Sequence, residues 1–271
     1  MNIRFIGGGN MAFALIGGLL GKGFAAADIG VVEPLLRQRQ ALAEKFGVDC
    51  LAEANAATLD ADLLVLAVKP QQMQAVLQPF AGRLRRPVVL SIAAGMTLET
   101  LSAWLLGYRR IVRAMPNTPA LIGAGMSGFI ALPEVTEDER RMAEGVLLAV
   151  GETLWVEDER QMDAITAISG SGPAYFFLFI EALETAAQSL GLPPDAARKL
   201  AINTGFGAAS LAKSSPESPA VLRARVASKG GTTAAALAVM EEMGVAAGII
   251  AGARAASARS AELARQFAAQ G

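Results

Sequence analysis

Short apolar runs and helix-length amphipathic stretches alternate along the first half of the chain, and the short runs then stop. Ile3, Phe5 and Ile6 read as a buried strand, followed at once by Gly7-Gly8-Gly9 and an apolar, helix-like stretch to Leu20. Ile29–Val32, Leu63–Val68, Val88–Ser91 and Ile111–Ala114 lack polar alternation, the pattern of parallel strands covered on both faces. Helices are expected over 35–46, from Pro70 onward and over Thr97–Leu106. Phe129–Ala131 and Leu154–Val156 read as further strands around a helix over 137–149. Beyond about residue 160 only helical periodicity remains. A helix opening at Gly172-Pro173 carries Phe176, Phe179, Ile180, Leu183, Ala187 and Leu190 on one face. Phe177 and Leu178 make its first turns apolar all round, which predicts burial. Further helices fit 194–211, 217–227, 232–243 and 245–267. The order predicts an α/β fold: a Rossmann-type doubly wound sheet over 1–159, followed by an all-α domain over 160–271.

Composition sharpens this picture. Of the 271 residues, 53% are hydrophobic and only 18% charged, against about 25% charged in a typical domain. The excess apolar surface predicts burial between subunits, above all in the alanine-rich helical half. Net charge is −1, with no cluster of Lys and Arg, so neither nucleic acid nor an anionic membrane is an expected partner. One cysteine, Cys50, permits no intrachain disulfide and suggests no thiol metal site, and no metal is expected. The absence of histidine removes every His-based triad and the commonest general acid–base. No segment reads as a membrane span: the uncharged run Ala114–Pro133 contains three prolines and three glycines.

The opening stretch has two readings. Arg4, Leu15–Leu20 and Ala25-Ala26-Ala27 resemble a signal peptide, but glycines and Asn10 break the apolar segment. Gly7 to Ala12 also spells G-x-G-x-x-A at a strand-to-helix turn. There the first glycine allows the turn, the second lets backbone approach a pyrophosphate, and Ala12 allows close packing. Glu33 lies 21 residues after Ala12, where an acid can reach the adenosine ribose. The turn explains more of the stretch and points to a cytoplasmic dinucleotide enzyme. Lys69, at a strand end, suits a phosphate or ribose, or is an exposed loop lysine. Ser91–Gly95 offers small side chains for a flat ring, or for tight packing. Asn55 suits the adenosine or an ordinary turn. Ser228-Lys229-Gly230-Gly231-Thr232-Thr233 reads as a carboxylate-binding nest at a helix start, or as a plain threonine cap.

At these residues the chain resembles the pyrroline-5-carboxylate reductase family. Pro219–Arg223, Val226, Ser228, Gly230–Thr233 and Ala236-Leu237 lie close to that family's signature, and Ala67–Pro70, Met115–Pro119 and Ser169–Tyr175 also match. The resemblance implies reduction of 1-pyrroline-5-carboxylate to L-proline, the last step of proline biosynthesis, with NADPH or, alternatively, NADH. It implies that Ser228, Lys229, Gly230, Gly231, Thr232 and Thr233 bind substrate, with the Thr233 hydroxyl near the ring nitrogen as the catalytic group. Ile6, Gly7, Gly8, Gly9, Asn10, Met11, Asn55, Ala67, Val68, Lys69, Pro70, Ile92, Ala93, Ala94 and Glu159 match cofactor positions. A homodimer interlocked through the helical domain is implied, with further assembly commonly into decamers. Two departures stand out: Lys229 replaces the usual proline, and Arg225 replaces an uncharged amide residue. Both add positive charge near the implied site. β-Hydroxyacid dehydrogenases, the nearest rival, require a lysine on the helix after the glycine turn; residues 172–190 contain none. A cofactor-sensing regulator would need no nest at 228–233.

Overall fold

The computed structural model describes residues 1–269. Eight strands, β1 (Ile3–Ile6), β2 (Ile29–Val32), β3 (Asp49–Leu51), β4 (Leu63–Leu66), β5 (Val88–Ser91), β6 (Ile111–Met115), β7 (Gly125–Ala131) and β8 (Gly151–Trp155), form one sheet in the order β3-β2-β1-β4-β5-β6-β7-β8. All neighbours run parallel except β6 and β7. The chain moves outward from β1 in one direction and then, at β4, in the other. That reversal opens a crevice beyond the carboxyl ends of β1 and β4.

Helices cover both faces: α1 (Asn10–Gly21), α2 (Leu36–Phe46), α3 (Ala56–Leu59), α4 (Pro70–Leu77), α5 (Leu98–Trp104) and α6 (Glu137–Leu148). Alternation along the strands divides the core. Ile3, Phe5, Leu63, Val65, Val88 and Leu90 pack with α1 and α6 on one face. Ile6, Leu64, Leu66 and Val89 pack with α4 and α5 on the other. Both faces are filled, so β4 carries apolar residues without a break, and in β1 only Arg4 interrupts them.

After β8 come α7 (Gln161–Ile165), a π-helical turn (Thr166–Gly170), α8 (Gly172–Ser189), α9 (Pro194–Ser214), α10 (Pro219–Val226), α11 (Thr232–Glu242) and α12 (Val245–Ala268). The contacts divide the chain into two compact units, Met1–Ser171 with Ala256–Gly271, and Gly172–Ala255. The division falls elsewhere than the boundary at 159/160 read from the sequence. α7 and the π turn belong with the sheet, and so does the end of α12, where Phe267 is buried in the second core cluster and Ser260 Oγ donates to Asp163 Oδ1 (2.6 Å).

The second unit is helical throughout, with α8 and α9 packed together. Its first helix departs from the expected burial: Phe176, Phe177 and Leu178 are 65%, 63% and 66% exposed in the single chain. Apolar periodicity marked these residues as needing cover but said nothing of which chain provides it. Gln161–Ser189, taken as one helix of 29 residues, is also long and apolar enough to cross a membrane by length and composition.

Candidate active site

The glycine turn sits at the crevice. Gly7 has φ +98°, and a side chain there would meet the Ala67 carbonyl oxygen at 2.8 Å, so only glycine fits. Its N–H donates to Val32 O (2.8 Å), and that of Gly8 donates to Glu33 Oε2 (2.8 Å). Gly9 differs from both. Its φ is an ordinary −72°, and a Cβ added there would meet nothing within 4 Å. No side chain caps α1, and its first hydrogen bond runs from Phe13 N–H to Gly9 O (2.9 Å). The turn therefore offers open space beside uncapped N–H groups, which suits a pyrophosphate.

A cleft of about 940 Å³ extends from this turn, lined in part by Ile6, Gly7–Gly9, Glu33, Leu35, Glu53 and Ala67–Lys69, with Val76, Pro79 and Phe80 adding apolar wall. The structure thus brings together Ile6, Gly7, Gly8, Gly9, Ala67, Val68 and Lys69 of the expected cofactor residues. Pro70 is the first residue of α4, and Lys69 stands exposed at its N-cap. Asn10 and Met11 form the first turn of α1 outside the cleft lining. Asn55 also lies outside it, because its side chain caps α3, accepting from Thr58 N–H (3.2 Å); its neighbours Glu53 and Ala54 line the cleft.

Glu33 departs from its expected role. It is 6% exposed, and its other oxygen, Oε1, accepts from Leu35 N–H (2.9 Å). Backbone N–H groups, which no sequence pattern reveals, already hold both oxygens.

Ile92, Ala93 and Ala94 follow β5 at its carboxyl end, outside the cleft lining, with Ile92 N–H bonded to Leu66 O (3.2 Å). Glu159 is engaged within the protein. Its Oε1 accepts from Leu98 N–H (2.8 Å) at the start of α5 and pairs with the buried Arg113 guanidinium on β6 (2.8 Å). Sequence reading assigned no role to Arg113, although a lone charge inside an apolar strand was the available signal. Asn117, inside the Met115–Pro119 motif, likewise carried no expectation of its own. Its Nδ2 donates to Ser169 O (3.1 Å) and its Oδ1 accepts from Met126 N–H (2.9 Å). Ser169 Oγ donates to Met126 O (3.0 Å). Two of the recognised motifs are therefore tied to each other and to β7, and they pin the π turn.

In the second unit, Ser228 to Thr233 make a tight turn into α11. Gly230 has φ +74°, and Gly231 N–H donates to Ser228 O (3.0 Å). A Cβ at Gly231 would lie 2.5 Å from Ser228 Oγ, so the serine hydroxyl lies directly over the turn. No side chain caps α11, and its first ladder bond is Ala235 N–H to Gly231 O (3.2 Å). Neither Thr232 nor Thr233 acts as a cap. The N–H groups of the first turn stay available to an anion, with Lys229 exposed beside them. Arg225 forms an ion pair with Glu217 (2.5 Å).

Residues 159–263 match the family model for pyrroline-5-carboxylate reductase dimerisation. Residues 2–95 match the model described as NADP oxidoreductase coenzyme F420-dependent. The chain is 47% identical over 266 residues to a pyrroline-5-carboxylate reductase of Pseudomonas aeruginosa, covering 98% of this chain and 97% of that one. It is similar to the solved pyrroline-5-carboxylate reductase of Coxiella burnetii at 41% identity, with a TM-score of 0.89 and coverage of 97% and 98%. The Plasmodium falciparum pyrroline carboxylate reductase, solved with NADP bound, matches at 26% identity with a TM-score of 0.87 and the same coverage.

Proposed function

This chain belongs to the pyrroline-5-carboxylate reductase family, and we propose that it reduces 1-pyrroline-5-carboxylate to L-proline with the dinucleotide in the cleft over Gly9. The space a side chain would fill at Gly9, beside the uncapped start of α1, carries the reading. NADPH is the proposed cofactor, with NADH accepted, in keeping with the NADP held by the Plasmodium relative.

When bound, the dinucleotide supplies the hydride. The remaining tasks fall to the chain. The first-turn N–H groups of α1 hold the pyrophosphate, and Lys69 faces the phosphate or ribose. Ser228 and the N–H groups at the start of α11 hold the substrate carboxylate, and Lys229 draws it in. The Thr233 hydroxyl bonds the ring nitrogen. Hydride addition at the imine carbon turns C=N into C–N, and the two electrons come from the reduced nicotinamide. An imine that binds already protonated is a strong electrophile and needs no strong acid, so a chain without histidine suffices. Catalysis here is positioning and electrostatics.

We further propose a homodimer joined through the helical unit, with assembly beyond it to a decamer. The exposed Phe176–Phe179 run supports the dimer, because monomers rarely leave such surface open. The same cover, supplied by a second copy, accounts for the apolar length of Gln161–Ser189 without a membrane and suits a cytoplasmic enzyme with no nucleic-acid partner. Turnover tests the function: the purified full chain should oxidise NADPH or NADH in step with proline formation from pyrroline-5-carboxylate. No oxidation with either dinucleotide would overturn it.

A further inference from the structure

Resting on the dinucleotide reading above, we propose that Arg113, acting through Glu159, is a positioning residue for hydride transfer: the pair fixes the loop on which the nicotinamide half of the cofactor lies. With the pyrophosphate at the start of α1, the adenosine half extends toward β2. The nicotinamide half then runs the other way, past β4 to the carboxyl end of β5. Residues 92–97 stand there and join β5 to α5. Their start is held by the sheet: Ile92 N–H donates to Leu66 O (3.2 Å), and Ala93 N–H to Ser91 Oγ (3.4 Å). Their middle turns at Gly95, φ +75°, against Leu263 and Phe267 of α12. Their far end depends on one carboxylate. Thr97 caps α5 by accepting from Thr100 N–H (3.1 Å), which leaves the Leu98 N–H to donate to Glu159 Oε1 (2.8 Å).

Glu159 lies in the connection between β8 and α7, with its side chain 27% exposed. Water alone would leave such a carboxylate free to swing. Arg113 prevents this. It sits within β6, paired in register with Ser91 of β5, and its side chain is only 4% exposed. Its NH1 group donates to the same Oε1 that serves Leu98 (2.8 Å). Any swing of Glu159 that frees Leu98 therefore also strands a buried cation, which is strongly unfavourable. The rigidity of the central sheet passes in this way from β6, through two side chains, to the first N–H of α5 and so to the loop. A buried ion pair is a weak device for stability, since apolar residues of like volume serve as well. Its use here is geometric: it supports a loop that must hold the reacting ring in place.

Single-turnover kinetics separate positioning from folding. With enzyme in excess over NADPH and saturating pyrroline-5-carboxylate, the loss of nicotinamide fluorescence reports hydride transfer directly. Arg113→Met, which removes the charge and fills the space, should lower that rate constant about ten- to a hundredfold. NADPH affinity by calorimetry should change far less, because the N–H groups of α1 still hold the pyrophosphate. Arg113→Lys returns a cation to Glu159 and should recover part of the rate. A pair that serves only the fold would lower Tm and the reacting fraction but leave the rate constant of the folded protein unchanged; that result overturns the proposal. Amide hydrogen exchange decides independently of how the variants fold. In the wild type without dinucleotide, Leu98 should exchange slowly, and exchange as fast as in an exposed loop also overturns the proposal. A wild type inactive with both dinucleotides overturns the functional reading instead.

Discussion

Valine at Gly9 should separate cofactor binding from folding. The added atoms meet no protein atom within 4 Å at Cβ, and φ of −72° suits any residue. The expected stability cost is under about 1 kcal/mol, the usual difference between glycine and a poor N-cap residue. The cofactor pays differently. Each charge-assisted hydrogen bond from backbone to phosphate contributes about 1.5–3 kcal/mol. Displacing the pyrophosphate from two such donors removes about 3–6 kcal/mol, which weakens Kd by about a hundred- to ten-thousand-fold. Gly7→Ala should instead cost the fold as well. Its φ of +98° and the Ala67 oxygen at 2.8 Å make alanine strained. That strain costs about 2–3 kcal/mol, or about 4–12 °C in Tm. Calorimetric titration with NADPH and thermal melts of both variants form the assay. Full NADPH affinity in folded Gly9→Val would refute the placement of the pyrophosphate.

Thr233→Ala should lower kcat/KM about ten- to a hundred-fold, mainly through kcat, because one hydrogen bond to a nitrogen gaining amine character is lost; Thr233→Ser should recover most of it, and steady-state kinetics with an unchanged alanine variant would retire the catalytic assignment. Sedimentation at low micromolar concentration should show a dimer or larger species, and a stable folded monomer of 28.0 kDa would refute assembly through the helical unit.

The sheet was legible because its strands are buried on both faces, which leaves mainly apolar runs at β1, β2, β4, β5 and β6, with Arg4 and Arg113 the charges among them. β3 was not, since Asp49–Leu51 is three residues at the sheet edge with little apolar signal. β7 begins at Gly125, four residues before the expected strand, because Gly125, Ser127 and Gly128 leave Met126 alone to mark that half. The glycine turn and the nest could be read because small residues at fixed spacing leave a mark in the sequence. The partners that Glu33, Arg113 and Asn117 find in Gly8, Glu159 and Ser169 could not, because such bonds depend on where distant segments come to rest. Phe176–Phe179 show the remaining gap: periodicity reports that a face must be covered, not by which chain.

The end of α12 has a consequence for how the protein is made. Phe267 and Leu263 approach Gly95 (3.4 Å from a Cβ placed there), and Phe267 completes a core cluster begun by β1. A ribosome delivers these residues only after Gly172–Ala255 has been synthesised. The dinucleotide-binding unit therefore has all its strands long before it has its full core, and its final closure waits on the synthesis of α12. Expressed as residues 1–159 alone, it would keep its sheet but leave bare the apolar seat of Phe267, inviting aggregation during synthesis.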